Sequence, residues 1–476
     1  MTFTIRLLPL AAALVLAGCG TLAPTYERPA APVAQAWPQG PAYAAESTAA
    51  ATLPAWQDFF TDAKLRQVIE LALANNRDLR IAALNIEQAR AQYRISRAAL
   101  LPNASANADG NHNRSVYGNS STGQRADQAN LNHSYSASIG VGYELDLFGK
   151  IRSGNEVALN QFFATEEARR SVELSLVASV ADTWLLLAAG QAQVALAKTT
   201  LASQEASYGL TARSHELGVA SALDLNQART TVESARVELA RSTRAVAQVR
   251  NALALLAGGA VDPSLEPAPG AVAASVVPEL PAGVPSEVLL QRPDIAQAER
   301  LLRAANAQIG VARAAFFPSI SLSAGGGRSS ADLTELFSGG ASYAWSWVPS
   351  ISVPIFTGGA LTAQLESTRA TREIALASYE KSIQTAFREV ADALATRGTI
   401  DAELEAQAAL AKAATAAYDL SEKRFRGGLD NYLAVLVAQR QMVVAQQALI
   451  QVEQTRASSL VQLYKALGGG VNQAAS

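Results

Sequence analysis

By residue type, four side chains in this 476-residue sequence stand out as capable of chemistry: the single cysteine, Cys19, and the three histidines, His112, His133 and His215. Imidazole is the commonest metal ligand, and a thiol can be oxidised, ligate metal or carry an acyl group. His112 and His133 fall in one polar stretch with no cysteine or carboxylate cluster at ligand spacing. That pattern predicts a solvated loop, not a metal centre. No Ser-His-Asp arrangement, phosphate-binding loop or dinucleotide fingerprint occurs in a fitting context, and Gly325-Gly326-Gly327 and Gly468-Gly469-Gly470 read as flexible segments. The expectation is no catalytic site, no cofactor and no metal.

Cys19 is the exception. It follows Arg6 and an apolar run from Leu7 to Leu16. That run is about half the roughly twenty residues a membrane-spanning helix needs, so residues 1–18 are read as a secretory signal. A lone cysteine in an exported chain cannot form an internal disulfide. Leu16-Ala17-Gly18-Cys19 resembles the lipobox of bacterial lipoproteins, which implies acylation of the Cys19 thiol, and Gly20 behind it fits sorting to the outer membrane.

The composition excludes other classes. A net charge of −2, a pI near 6.1 and no basic block leave no electrostatic footprint for nucleic acid. Only 17% of residues are charged, which is low for a chain whose whole surface meets water. The most apolar later stretch, Val172 to Ala189, is interrupted by Glu173 and Asp182, so any membrane crossing is expected from strands.

The elements repeat. Residues 78–108 realign on 294–324 at an offset of 216, and six of twelve positions agree between Ala91 and Pro102. The layout this predicts is an extended arm over 19–55, a first repeat over 56–257, a Pro- and Gly-rich connector over 258–285, a second repeat over 286–467 and a flexible tail over 468–476. In each repeat a strand alternates sharply. Tyr135, Ala137, Ile139, Val141, Tyr143, Leu145 and Leu147 interleave with polar residues and glycine, as do Tyr343, Trp345, Trp347, Ile351, Val353 and Ile355. Weaker alternation at Ala104, Ala106 and Ala108 and at Ile320, Leu322 and Ala324 gives each repeat a second strand, with polar loops over 109–133 and 325–342. Tyr343, Trp345 and Trp347 favour a lipid interface over an ordinary soluble hairpin.

Four strands per chain cannot close a barrel, because two edges would leave unpaired N–H and C=O groups in hydrocarbon. Three chains and twelve strands is the smallest sharing that leaves a pore, and four chains remain open on geometry alone. Two stretches without proline, 152–216 and 360–426, predict helices of about 100 Å at 1.5 Å per residue. In the second, Leu376, Tyr379, Ile383, Phe387, Val390 and Leu394 form a coiled-coil-like seam. Each long helix ends at a glycine-containing break, Leu217-Gly218-Val219 and Arg426-Gly427-Gly428.

Taken in order, Tyr26-Glu27-Arg28-Pro29, Arg292-Pro293-Asp294-Ile295, Ala304-Ala305-Asn306-Ala307, Ala314-Ala315-Phe316-Phe317-Pro318, Gly428-Leu429-Asp430-Asn431-Tyr432-Leu433 and Leu463 to Gly469 resemble the outer membrane factor family of TolC-like channels, in its OprM-like lipoprotein branch. The resemblance implies an α+β membrane protein, a trimer sharing a twelve-stranded outer-membrane β-barrel, and a coiled-coil periplasmic tunnel. It also implies docking to a periplasmic adaptor and an inner-membrane drug transporter, with drugs or other small molecules as cargo. A protein-secretion channel would share this architecture. A periplasmic adaptor lipoprotein would carry one helical hairpin and no duplicated strand module.

The family places its gate where the long helices converge, just after the breaks. Leu433, Val437 and Arg440 are spaced to share one helix face there, and the Gln-Ala-Arg and Ala-Gln-Arg strings make Ala222, Asn226 and Arg229 their first-repeat equivalents. Relatives commonly carry an acid where this chain has Val437, so an apolar constriction is expected in place of an ionic latch, with Arg440 paired, if at all, to Asp224 or Asp430.

Overall fold

The computed structural model describes residues 20–34, 36–43, 53–116, 129–271 and 286–469. Cys19, its signal segment and residues 470–476 lie outside them. The chain forms two compact units, one from residues up to 29 with 87–164 and 298–378, the other from 30–86, 165–297 and 379–476. Each unit draws on both sequence repeats, because equivalent elements pack together.

The first unit is organised by one antiparallel sheet in the order β1-β2-β3-β4. Its strands are β1 (Asn103–Val116), β2 (Ala129–Leu145), β3 (Ser319–Ser330) and β4 (Ser342–Ser352). β2 and β3, one from each repeat, pair in the middle, while β1 and β4 are edges. The register brings like faces together. Ala104, Val141, Ala324 and Trp347 form one cross-strand row, and Ala106, Ile139, Gly326 and Trp345 the next. Rows of the opposite parity hold Asn107, Ser138, Gly327 and Ala344, or Ser105, Gly140, Gly325 and Ser346. Ile139, Tyr343, Trp345 and Trp347 are exposed on the apolar face.

Three expectations are corrected here. The predicted loops 109–133 and 325–342 shrink, since β1 runs on to Val116, β2 begins at Ala129 and β3 runs on to Ser330. Polar side chains hide strand character in a strand that continues past its buried stretch, because alternation disappears when both faces are wet. Gly325 to Gly327 are therefore mid-strand positions. A Cβ on Gly327 would come within 2.6 Å of the Ala137 carbonyl oxygen, so close strand approach, not flexibility, requires glycine there. Gly468 is likewise buried and turns with φ +95°, which makes it part of a packed helix end.

The helices are α1 (Trp56–Phe59), α2 (Ala63–Asn75), α3 (Arg77–Ala98), α4 (Lys150–Glu216), α5 (Ala222–Ala257), α6 (Pro293–Ala314), α7 (Ala360–Arg426) and α8 (Tyr432–Ala466). The duplication is plain in their lengths: α3 and α6 have 22 residues each, and α4 and α7 have 67 each. In the second unit, Trp184, Leu185 and Leu187 of α4 and Tyr379, Ile383 and Val390 of α7 are essentially inaccessible, so these seam positions are core. Leu376 and Phe387 of the predicted seam are half-buried. Phe59 stacks on Tyr464 at 4.2 Å and the Tyr464 hydroxyl donates to the Pro54 carbonyl at 3.1 Å, which anchors the ends of this core.

Two helices, α4 and α8, contain windows apolar and long enough to cross a membrane by composition. In α4 most of that window is buried against protein, and Asp182 within the helix accepts hydrogen bonds from Ser458 and Gln462. Burial pushes the Asp182 carboxyl up despite those bonds. This segment is a packed core helix, and its hydrophobicity is explained by Trp184 and its neighbours. The α8 window is mostly half-buried in the single chain, with Leu433, Val437 and Val444 exposed.

Candidate functional site

The helical turns are built twice on one plan. After α4 the chain turns through Gly218 at φ +74°, and after α7 through Gly428 at φ +72°. In each, an amide beyond the glycine reaches back to the helix: Val219 N–H donates to the Ser214 carbonyl and Leu429 N–H to the Arg424 carbonyl, both at 2.9 Å. This is a left-handed helix end that a Cβ would strain. The following helices start at Ser221, whose hydroxyl accepts from the Asp224 amide in a capping box, and at Asn431, whose side chain accepts from the Ala434 amide. Gly218, Ser221 and Ala222 thus correspond to Gly428, Asn431 and Tyr432, an offset of 210. This changes the expected first-repeat equivalents. The counterparts of Leu433, Val437 and Arg440 are Leu223, Gln227 and Thr230, one position along from Ala222, Asn226 and Arg229, because caps and turns register the helices more directly than a tripeptide match.

Leu433, Val437 and Arg440 line one cleft of about 600 Å³ together with Gln227, Thr230 and Gln204. Leu433 is 55% and Val437 40% exposed, so neither contributes much to the core of its own chain. The adjacent core is made by Tyr432, Val435, Ala228 and Tyr418. Burial raises the Tyr432 hydroxyl's pKa, with Tyr418 adding to it.

Both candidate acids are occupied locally. The Asp224 carboxylate accepts from the Ser221 hydroxyl at 2.6 Å and the Ser221 amide at 3.0 Å, and these bonds hold its pKa down. Asp430 takes Arg424 in a two-point contact of 2.6 and 2.9 Å, which lowers the Asp430 pKa in the same way. Among the described residues neither acid pairs with Arg440.

Residues 20–29 run along α6, and here the Tyr26-Glu27-Arg28-Pro29 motif acquires a physical reason. The Glu299 carboxylate accepts from Arg28 at 2.6 Å, from Arg303 at 2.7 Å and from the Tyr26 hydroxyl at 3.2 Å. Arg303 also lies over the Tyr26 ring at 4.7 Å. Asn306 donates to the Pro24 carbonyl at 2.7 Å and Arg313 to the Leu22 carbonyl at 3.1 Å. Gly310 lets the arm approach, since a Cβ there would sit 2.8 Å from the Ala23 nitrogen. A contact between Arg28 and Glu299, 271 residues apart, has no local signal in the sequence.

Glu299→Gln should loosen this arm by about 1–2 kcal/mol, the scale of a partly exposed charge-assisted contact. Burial alone would raise the Glu299 pKa, but the bonds from Arg28 and Arg303 outweigh it and the net is a lowered value. The stabilisation is therefore complete above the ordinary glutamate value of 4.5 and disappears as pH falls through the lowered folded value. Limited proteolysis at neutral pH should cut the arm faster in Glu299→Gln than in the wild type. Equal cutting rates would show that the arm is held elsewhere.

The second motif, Arg292-Pro293-Asp294-Ile295, also closes on itself. The buried Arg292 guanidinium donates to Asp294 at 2.7 and 3.0 Å, to Glu389 at 2.9 Å and to the Ala466 carbonyl at 2.6 Å. It joins the start of α6, the flank of α7 and the last turn of α8.

A sheet with one apolar exposed face, two free edges and strands of up to 17 residues, in one chain with a duplicated set of long helices, defines a channel protein of the outer membrane. The chain belongs to the outer membrane efflux protein family, whose model matches residues 68–259 and 284–469. Two proteins of Pseudomonas putida, the antibiotic efflux pump outer membrane protein ArpC and the toluene efflux pump outer membrane protein TtgC, are each 49% identical to it over 461 residues, covering 96% of this chain and 94% of theirs. The open-state structure of the Neisseria gonorrhoeae MtrE outer membrane channel matches with a TM-score of 0.81 at 37% identity, over 95% of this chain and 99% of that one. The protein is an outer-membrane component of efflux.

Proposed function

We propose that three copies of this chain share a twelve-stranded barrel and form the exit duct of a tripartite pump, joined by a periplasmic adaptor to an inner-membrane transporter of drugs or other small exported molecules. The observation that carries this reading is the pair of free edges, β1 and β4, on a sheet whose apolar face is exposed. Neither edge can remain unpaired in hydrocarbon, so β1 of one chain pairs with β4 of the next. The exposed apolar side chains of α8, Leu433, Val437 and Val444, give the same copies a second contact. Leu433 and Val437 from three chains make an apolar constriction, with Arg440 beside it. Cys19 carries the lipid, which anchors the arm while the barrel supplies its own insertion.

Deletion of the gene should sensitise its host to several unrelated drugs or solvents. Unheated outer-membrane fractions should contain the chain as a trimer on gels. Cys19→Ser should remove the fatty-acid label and leave the trimer. Unchanged susceptibility with loss of a secreted protein would favour a secretion channel, and loss of the trimer in Cys19→Ser would make the lipid an assembly determinant.

A further inference from the structure

One pair of side chains in the sheet is not explained by efflux. His112 and His133, expected in a loop, sit directly opposite each other across β1 and β2. Strand parity puts them on the same face as Ile139 and Val141. They lie six residues beyond Ile139, about 20 Å along the strand, past the apolar rows. Their rings are edge to face with centroids 4.8 Å apart, and the two Nδ1 atoms face each other at 2.5 Å. Two lone pairs cannot approach so closely, so one Nδ1 carries a proton and donates it to the other. The Tyr135 hydroxyl is 3.4 Å from His112 Nε2. With that Nε2–H donated to the hydroxyl oxygen, His112 presents the Nδ1 lone pair towards His133.

We propose that His112 and His133 form a two-imidazole site for a borderline divalent transition metal, Zn²⁺, Ni²⁺ or Cu²⁺, at the outer ends of β1 and β2. Nitrogen donors disfavour the oxygen-seeking ions Ca²⁺ and Mg²⁺. A four-coordinate ion with bonds of about 2.0–2.1 Å holds two nitrogens roughly 3.3 Å apart, so the Nδ1 atoms, which now point head-on, need to separate by less than about 1 Å and both rings need to tilt until their lone pairs converge on the ion. Both side chains are exposed and free to do so. On binding, the metal displaces the proton between the Nδ1 atoms and His133 takes one up at Nε2, so both imidazoles stay neutral, with no net proton release and no change of oxidation state. Among the described residues no group of three or more His, Cys, Asp or Glu forms a cage, so water fills the remaining positions. Arg114, two residues along the same strand face, repels a cation. Both features make the ion exchangeable. Its effect is to tie together the two strands that flank residues 117–128, adding stability by mass action when metal is present.

The test is titration of the untagged full-length protein in detergent with Zn²⁺ by calorimetry, and with Cu²⁺ by electron paramagnetic resonance. One ion per chain and a two-nitrogen hyperfine pattern are expected. Loss of an outer-shell partner alone costs about 10–100-fold in metal affinity, so His112→Ala or His133→Ala should weaken binding at least that much. His215→Ala should bind as the wild type does, because His215 belongs to the other unit and is engaged in its own turn with the Ala220 carbonyl at 2.9 Å. Circular dichroism and gel migration control for folding, and the exposed positions favour intact variants. Absence of saturable binding in the wild type, or wild-type binding by the His112→Ala, His133→Ala double variant, overturns the proposal and leaves a hydrogen-bonded pair only.

Discussion

Alanine at both Leu433 and Val437 should raise the single-channel leak of the purified protein in planar bilayers several-fold, while Arg440→Ala should raise it less. The reason lies in exposure. At 55% and 40% exposed, these two side chains are not held by their own chain's core, so truncation changes the cleft and not the fold. Tyr432, Val435 and Ala228 carry the local packing instead. The acids that could have latched Arg440 are engaged by Ser221 and by Arg424. Exposed ion pairs contribute at most about 1 kcal/mol and weaken with salt, whereas an apolar plug is insensitive to screening. The leak of the double variant should therefore depend little on ionic strength beyond bulk conductivity. Recordings in which Arg440→Ala opens the channel more than the double change would restore the ionic latch.

Ile139→Arg should destabilise the membrane-embedded sheet by about 1–2 kcal/mol, less than the roughly 2–4 kcal/mol of a midplane site, because its row lies one step from the edge of the apolar band. Its row, with Ala106, Gly326 and Trp345, is one step from the Val141 row and one step from the row of Arg328 and Tyr343. Arg328 can extend to the headgroups, so that row marks the edge of the band. Ser138→Arg points to the other face, beside Asn107 and Gly327, and should change conductance and ion selectivity with a smaller effect on stability. Heat-dependent gel migration measures the first effect and bilayer recordings the second. Equal loss of stability in the two variants would reverse the assigned faces or show that both are packed.

Some of this architecture was legible because it is periodic. The sharp alternation from Tyr135 to Leu145 and from Tyr343 to Ile351 marks two half-exposed strands. Absence of proline marks two helices whose ends, at Glu216 and Arg426, lie next to the predicted breaks. The outward ends of β1 and β2 escaped notice because Asn, Ser and His on both faces leave no alternation to read. Glu299 gave no signal of its role, since its partners Arg28 and Tyr26 lie about 270 residues away in sequence.

By itself, then, the sequence determined the duplication, the number and sidedness of the strands, the long helices and their glycine turns. Each of these depends on spacing within a few residues, where backbone geometry is local. Only the tertiary structure decided the rest: that β2 meets β3, that the first and second repeats register at 210 around the turns, and that Arg424 takes Asp430. It also brought Glu299 to the arm and His112 to His133. Those choices depend on which distant surfaces exclude water together and which charges become neighbours when they do, and no local pattern encodes a distance across the fold.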